Sequence, residues 1–127
     1  MTIARLAGAA GVGVETVRYY QRRGLMPTPK KSGGAYRTYG QGDLERLIFI
    51  RRAQGAGFSL EEIQELLSLD RSNDKKRVRE LARERLVALD LKITELREAQ
   101  SALTKLLGVC EKRNGGPCPI IEAFTPA

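Results

Sequence analysis

The feature that most constrains the fold is a run of residues, spaced alternately four and three apart, in the last third of the sequence. The run comprises Ala82, Leu86, Leu89, Ile93, Leu96, Gln100, Leu103 and Leu107. An average spacing of 3.5 residues, sustained for more than three heptads, predicts a coiled-coil helix whose apolar seam has one polar member, Gln100. A helix from residue 74 to 107 would extend about 50 Å at 1.5 Å per residue. It is too long to be buried by the small domain that precedes it.

Such a helix needs a partner for its apolar seam. We expect that partner to be the same helix of a second copy, which predicts a twofold homodimer. The alternative is an amphipathic helix that folds back on its own domain. The preceding segment supplies few long apolar faces to receive it, which favours the homodimer.

The N-terminal segment has the pattern of two short helices joined by a tight turn. "TIARLAGAA" predicts a first helix with Thr2 as its N-cap, ended by Gly11. "VETVRYYQRRG" predicts a second helix, with Gly24 in the position of a left-handed C-cap. Two helices so joined are a helix-turn-helix. The composition of residues 25 to 39 predicts a two-stranded wing. The segment contains two prolines and two adjacent glycines, and the residues at its end alternate with the period of two that is typical of a strand.

Helical periodicity returns at Asp43, and Ser59 and Glu62 form a capping box that opens a further helix. The helical pattern is interrupted at "DRSN". Asn73, in this stretch, is predicted to cap the long helix. We therefore expect a mainly α protein: a winged helix-turn-helix domain over residues 1–70, a dimerisation helix over 71–108, and a cysteine loop with a short helix over 109–127. The sequence therefore predicts an N-terminal DNA-binding domain followed by separate C-terminal segments.

The charge distribution supports that division. The chain carries 22 Lys and Arg against 15 Asp and Glu, a formal charge of +7. The excess lies between Arg5 and Arg52, whereas residues 61–98 carry mixed charge, a pattern typical of nucleic-acid binding joined to another function. A generally basic protein is the alternative. With no membrane-length apolar run and no signal-peptide pattern we expect a cytoplasmic protein. With no histidine and no Gly-rich phosphate loop we do not expect an enzyme.

The two cysteines of the chain lie in "GVCEKRNGGPCPII", at positions 110 and 118. A disulfide, inert core thiols and a metal clip are the alternatives, and a reducing cytoplasm argues against the disulfide. "PIIEAF" predicts a short helix with Pro119 at its first position. Cys118 would then lie at a helix N-terminus, where backbone amides lower the pKa of a thiol. Two sulfurs without histidine favour soft ions in two-coordinate binding.

Three stretches together resemble the MerR family of bacterial transcription regulators: "VETVRYYQRRGL", "GGAYRTY" and "GFSLEEIQELLSL". "CEKRNGGPCPII" resembles the metal-binding loop of the mercury- and copper-sensing branches. The resemblance implies an antiparallel coiled-coil dimer on double-stranded promoter DNA. It also implies activation by bending and untwisting an over-long promoter spacer, so that bacterial RNA polymerase engages both promoter elements. The polymerase is thus an indirect partner, through the DNA.

The resemblance also assigns residues. Carried over by position, the DNA contacts fall on Arg18, Tyr19, Arg37 and Tyr39, with Lys30 and Lys31 nearby in the wing. Arg22 joins them because it lies near the same side of the second helix as Arg18. The metal ligands fall on Cys110 and Cys118.

One position departs from the mercury-sensing pattern. Those members carry a third cysteine at the start of the dimer helix, and the aligned position here is Lys75. Copper-type members lack it and bind monovalent ions through the loop cysteines. Two thiolates on a +1 ion leave a net −1, which Lys75 would balance, whereas Hg(II) gives a neutral pair. We expect Cu(I), Ag(I) or Au(I), with Hg(II) as the alternative and a solvated role for Lys75 left open.

Two other functions remain open at this stage. In a redox or electrophile-sensing transcription regulator, the two thiols would react without metal. In an architectural DNA-binding dimer, they would be merely structural.

Overall fold

The computed structural model describes residues 1–29, 38–113 and 115–126. Six helices follow one another: α1 (Ile3–Ala9), α2 (Val14–Arg22), α3 (Gln41–Gly55), α4 (Leu60–Leu69), α5 (Lys75–Lys112) and α6 (Pro119–Phe124). Within these residues there is no strand, and the mainly α class is confirmed. The predicted wing falls largely on residues 30–37, outside the described part of the chain.

The chain forms two compact units, Met1–Arg85 and Leu86–Ala127. The first contains α1 to α4 and the beginning of α5, and the second contains the rest of α5 and α6. None of the helices described is both long and apolar enough to cross a membrane.

The first unit has a core to which every one of its helices contributes. Its fully buried side chains are Leu6, Val17, Tyr20, Leu25, Leu47, Ile50, Ile63 and Leu81. Leu6 lies on α1, Val17 and Tyr20 on α2, and Leu81 on α5. Burial of large apolar side chains is the main force holding such a small unit together. The orientation of α2 is therefore set by the two side chains that it buries.

The caps of α1 and α2 follow the sequence prediction. Thr2 Oγ1 accepts a hydrogen bond from the backbone N–H of Arg5 at 3.2 Å, which makes it the N-cap of α1. Gly24 has a φ of 75°, a left-handed conformation that costs a glycine little. The next amide, of Leu25, then donates to the Tyr20 carbonyl at 2.8 Å. The chain thus leaves α2 by a turn that buries Leu25 in the core.

The predicted capping box of α4 is also present. Ser59 Oγ accepts from the amide of Glu62 at 3.1 Å, and Glu62 Oε1 accepts from the amide of Ser59 at 2.8 Å. The bond from the Ser59 amide, reinforced by its hydroxyl, lowers the pKa of Glu62. Both bonds satisfy amides that the start of a helix leaves without partners.

The start of α5 differs from the prediction. Asn73 does not cap the helix; it occupies the left-handed region with a φ of 58°. The capping oxygen is Asp74 Oδ1, which accepts from the amide of Arg77 at 3.3 Å. Asn and Asp are comparable caps and are adjacent here, so composition alone does not separate them. At its other end α5 continues to Lys112 rather than ending at residue 107.

Two arginines of α5 fasten its beginning to the rest of the first unit. Arg77 donates to both carboxylate oxygens of Glu65 on α4, and this hydrogen bonding lowers the pKa of Glu65 and raises the pKa of Arg77. Arg85 Nη1 donates to the carbonyl of Gly57, between α3 and α4. The beginning of α5 is therefore held by these side-chain hydrogen bonds as well as by the burial of Leu81.

We expect Ser59→Ala to lower the free energy of unfolding by about 1 kcal/mol, because the Glu62 amide loses its acceptor. Ser68→Ala is the matched control: Ser68 Oγ donates to the Glu65 carbonyl inside the same helix, and its loss should stay within about 0.5 kcal/mol. Urea unfolding followed by circular dichroism measures both. Equal stabilities of the two variants would contradict the capping role of Ser59.

Candidate functional site

The outward face of α2 carries a cluster of charged and aromatic side chains. Val17 and Tyr20 are buried one helical turn apart, which directs the opposite side of the helix to solvent. The exposed residues there and at the helix C-cap are Arg18, Tyr19, Arg22 and Arg23. Three guanidinium groups and a phenol within six residues suit a phosphate backbone and base edges. The predicted DNA-contacting residues of this helix are thus exposed together.

Arg18 is accessible for such contacts. Its nearest acidic partner is Glu15, one helical turn earlier, at 3.9 Å, and the two side chains are 55% and 84% exposed. An ion pair this long and this exposed is worth little. Arg18 can therefore exchange Glu15 for another anion at small cost.

Tyr19 lies between two arginines. The Arg22 and Arg23 guanidinium carbons lie 6.0 and 5.8 Å from the centroid of its ring, at the outer limit of a cation–π contact. Arg23 also donates through Nη1 to the Tyr19 hydroxyl oxygen at 3.0 Å and through Nη2 to Glu61 Oε1 at 2.8 Å. Glu61 lies in the first turn of α4, so these contacts join α2 to α4.

The other predicted DNA contacts differ in placement. Tyr39 is only 5% exposed, and its hydroxyl accepts a hydrogen bond from Gln21 Nε2 at 2.8 Å. Tyr39 thus packs in the core of the first unit, and its predicted DNA contact stays a prediction. Lys30, Lys31 and Arg37 lie outside the described residues.

The two cysteines come together at the junction of α5 and α6. Cys110 lies in the last turn of α5, so the sequence-based placement of both thiols on one loop was wrong for Cys110. Cys118 is the N-cap of α6, with Pro119 in the first helical position as predicted. Gly116, at a φ of 88°, allows the turn that brings the chain back. The two sulfurs are 3.7 Å apart and half-buried.

The pKa values of the two thiols are shifted in opposite directions. Hydrogen bonds from the amides of Ile121 and Ile120, and then from the Cys110 thiol, lower the pKa of Cys118. The pKa of Cys110 is raised, chiefly by its hydrogen bond to Cys118 and by the charge that Cys118 carries. Cys118 is therefore the thiol favoured as a thiolate, and it accepts a hydrogen bond from the Cys110 thiol, which keeps its proton. Two facing sulfurs, one of them favoured as a thiolate, make this pair the candidate site for a soft cation.

Lys75 is the first residue of α5 and is exposed. It belongs to the first unit, whereas the cysteines belong to the second. Its proposed part in charge balance stays a prediction. Among the residues described, three or more His, Cys, Asp or Glu side chains are nowhere grouped to hold a metal ion.

The DNA contacts expected from the sequence include neither Arg23 nor Glu61. The spacing of Tyr19 and Arg23, four residues apart, is a detectable signal, since such residues are neighbours on a helix. The pairing with Glu61 is not detectable in this way, because it depends on how α4 packs beside α2.

Comparison with known proteins agrees with these features. The family model described as MerR HTH family regulatory protein matches residues 1–70, and the model described as MerR, DNA binding matches residues 44–106.

Individual relatives cover nearly the whole chain. The mercuric resistance operon regulatory protein of Serratia marcescens is 43% identical over 125 residues, 98% of this chain and 87% of that protein. Heavy metal-dependent transcription regulator 2 of Rhizobium meliloti is 39% identical over 124 residues, 96% of this chain and 84% of that protein. The transcription regulator PbrR691 of Ralstonia metallidurans, solved in complex with lead(II), superposes with a TM-score of 0.68. It is 32% identical, with 98% of this chain and 99% of that chain covered.

The family match covers more than half of the sequence, and the helix order, the outward face of α2 and the paired thiols are consistent with it. The chain belongs to the MerR family of helix-turn-helix regulatory proteins.

Proposed function

We propose that the chain is a cytoplasmic transcription regulator that binds double-stranded promoter DNA as a homodimer and responds to a thiophilic ion held by Cys110 and Cys118. The ion-loaded dimer would activate by distorting the promoter, so that RNA polymerase engages it. The observation that carries the metal part is the facing pair of sulfurs at 3.7 Å, one of them favoured as a thiolate.

DNA binding rests on α2. The helix presents Arg18, Tyr19 and Arg22 from a backbone that is fixed by the burial of Val17 and Tyr20. Rigid presentation lowers the entropy lost on binding. Arg18 can exchange its long, exposed ion pair with Glu15 for a contact with DNA.

We expect Arg18→Ala to weaken DNA binding without changing metal uptake. If Arg18 contacts a phosphate, the salt slope of log K should fall by about one. If it contacts a base, discrimination between operator and altered operator should fall by about 1–3 kcal/mol. Lys105→Ala removes the same charge from the exposed surface of α5 and is the control. Fluorescence anisotropy over a salt series measures both, and an unchanged operator affinity in Arg18→Ala would contradict this placement of the DNA-binding helix.

The two cysteines are free thiols and are not joined in a disulfide. A disulfide needs a sulfur–sulfur distance of about 2.05 Å, and the two sulfurs lie 3.7 Å apart. Two-coordinate binding would place the ion between the two sulfurs, which would have to move apart from their 3.7 Å separation. Bound there, the ion supplies a link between the end of α5 and the start of α6.

The choice of ion rests on charge. A +1 ion on two thiolates leaves a net negative site, which favours a nearby cation, and Lys75 occupies the position where mercury-sensing members carry a third thiol. On this argument we favour Cu(I), Ag(I) or Au(I). Hg(II) stays the alternative, and it agrees with the name of the Serratia relative, a mercuric resistance operon regulatory protein.

We expect Cys110→Ser and Cys118→Ser each to abolish ion-dependent induction while operator binding survives, because one thiolate cannot replace two. Lys75→Ala should reduce the response to Cu(I), Ag(I) or Au(I) more than the response to Hg(II). A promoter reporter and titration of reduced protein with each ion measure these effects. Equal losses for both ion classes in Lys75→Ala would exclude charge balance but leave the site intact.

The lowered pKa of Cys118 also favours a second function, a thiol sensor of redox state or electrophiles. The same titration separates the two. Stoichiometric ion uptake per cysteine pair supports the metal function, whereas induction by an alkylating agent without ion uptake supports the thiol sensor.

The homodimer rests on α5. Five seam residues in the second unit, Leu86, Ile93, Leu96, Leu103 and Leu107, are 41–59% exposed. A groove of about 470 Å³ lies beside them, lined by Leu96, Leu103, Leu107 and, from α6, Ile120. An exposed apolar stripe of this length marks an interaction surface. Its heptad spacing fits a second copy of the same helix.

We expect Leu96→Glu to dissociate or unfold the dimer, since truncating a buried leucine alone costs about 2–5 kcal/mol and a buried carboxylate costs more. Leu91→Glu is the control, because Leu91 is 63% exposed on the same helix but outside the seam. Sedimentation velocity measures the mass of each variant. A Leu96→Glu dimer as stable as the wild type would contradict the proposed interface.

A further inference from the structure

Three exposed side chains form a chain of contacts at the C-terminal end of α2. Glu61 on α4 accepts a hydrogen bond from Arg23 Nη2 at 2.8 Å, and Arg23 Nη1 donates to the Tyr19 hydroxyl at 3.0 Å. The Arg23 and Glu61 side chains are 41% and 75% exposed. An isolated surface pair of this kind adds little stability. The main consequence of the Arg23–Glu61 pair is therefore its effect on the Tyr19 hydroxyl.

The contact with Arg23 decides how the Tyr19 hydroxyl can bond. A phenol has one proton to donate and lone pairs that accept. Arg23 has only protons to donate, so the Tyr19 oxygen is the acceptor in this bond and its own proton is left for another partner. A hydroxyl that accepts from a charged donor is also polarised toward stronger donation. Tyr19 is thereby prepared to donate to an anion.

Arg23 is itself committed to Glu61. Its two terminal nitrogens donate to two different groups, and the Glu61 carboxylate neutralises its charge locally. Because Glu61 belongs to α4, the guanidinium is held by a second helix as well as by its own backbone. Arg22, one residue earlier, approaches the same ring at 6.0 Å and provides a natural comparison.

We propose that Arg23, held by Glu61, is a positioning residue that fixes the Tyr19 hydroxyl as a hydrogen-bond donor to a DNA phosphate. This inference rests on the proposed DNA-binding function and assigns a role to two residues outside the expected contact set. Arg23 acts through Tyr19 and does not neutralise a phosphate of its own.

A double-mutant cycle tests the proposal. The probe is a duplex selected by the wild-type protein from random-sequence DNA, and the variants are Tyr19→Phe, Arg23→Gln, Arg22→Gln and the two doubles with Tyr19→Phe. Tyr19→Phe should raise Kd about tenfold, as expected for the loss of a hydrogen bond to a charged group. Arg23→Gln should raise Kd at least about threefold more in the wild-type background than in the Tyr19→Phe background, which is the coupling expected of residues in contact.

Arg22→Gln removes the same charge from the neighbouring position and should raise Kd by the same factor in both backgrounds. Arg23→Lys should lose the coupling to Tyr19 while the salt slope stays that of the wild type, because the charge remains but the planar fork does not. Thermal unfolding of each variant checks that the fold is intact, since a purely structural role would lower the melting temperature without coupling to Tyr19.

Equal factors for Arg23→Gln in the two backgrounds, together with a salt slope lower by about one, would overturn the proposal in favour of a direct phosphate contact by Arg23. Failure of the wild type to select any duplex would overturn the DNA-binding function and this inference with it. Selection by the wild type without coupling would overturn this inference alone.

Discussion

Helix α5 has 38 residues and carries an apolar seam. The described part of the chain does not bury this seam along its whole length. The first unit buries Leu81, near the beginning of α5, and fastens the helix through Arg77 and Arg85. Beyond Arg85 most of the seam is exposed, namely Leu86, Ile93, Leu96, Leu103 and Leu107. At about 25 cal/mol per Å² of apolar surface removed from water, covering such a stripe drives association strongly. The proposed homodimer follows from this constraint, and it would present two copies of α2 to the DNA.

Within the first unit, the position of α2 depends on two buried side chains. Val17 and Tyr20 are three residues apart, so they share one face of the helix and direct Arg18, Tyr19 and Arg22 to the other. The exit turn at Gly24 then places Leu25 in the same core. A helix fixed on its inner face by packing, and at its end by Arg23 and Glu61, presents its outer side chains in a defined geometry. This is what recognition of a duplex requires.

Much of the fold was predictable because its signals are local. Thr2 as a cap, the Ser59–Glu62 box, Gly24 and Pro119 each act within about four residues of their own position, and each is where the sequence placed it. The features that the sequence did not reveal depend on competition between neighbouring residues or on contacts between residues far apart in the sequence. Asp74 caps α5 in place of its neighbour Asn73, and the helix extends past residue 107 to include Cys110. The burial of Tyr39 depends on long-range packing, as does the Arg23–Glu61 pair, so spacing in the sequence does not reveal either.

The extension of α5 also changes how the proposed metal site relates to the proposed dimerisation helix. Cys110 lies three residues after Leu107, the last predicted member of the seam, and the alternation of four and three continues through it. Residues with this spacing share one face of a helix. Cys110, a proposed ligand, is thus the next position of the apolar seam, and it is not a separate loop residue. Its partner Cys118 is fixed by the amides at the start of α6, whose Ile120 lines the groove beside Leu103 and Leu107. In the proposed regulator, a soft ion that changes the 3.7 Å separation of the two sulfurs acts directly on the end of the dimerisation seam.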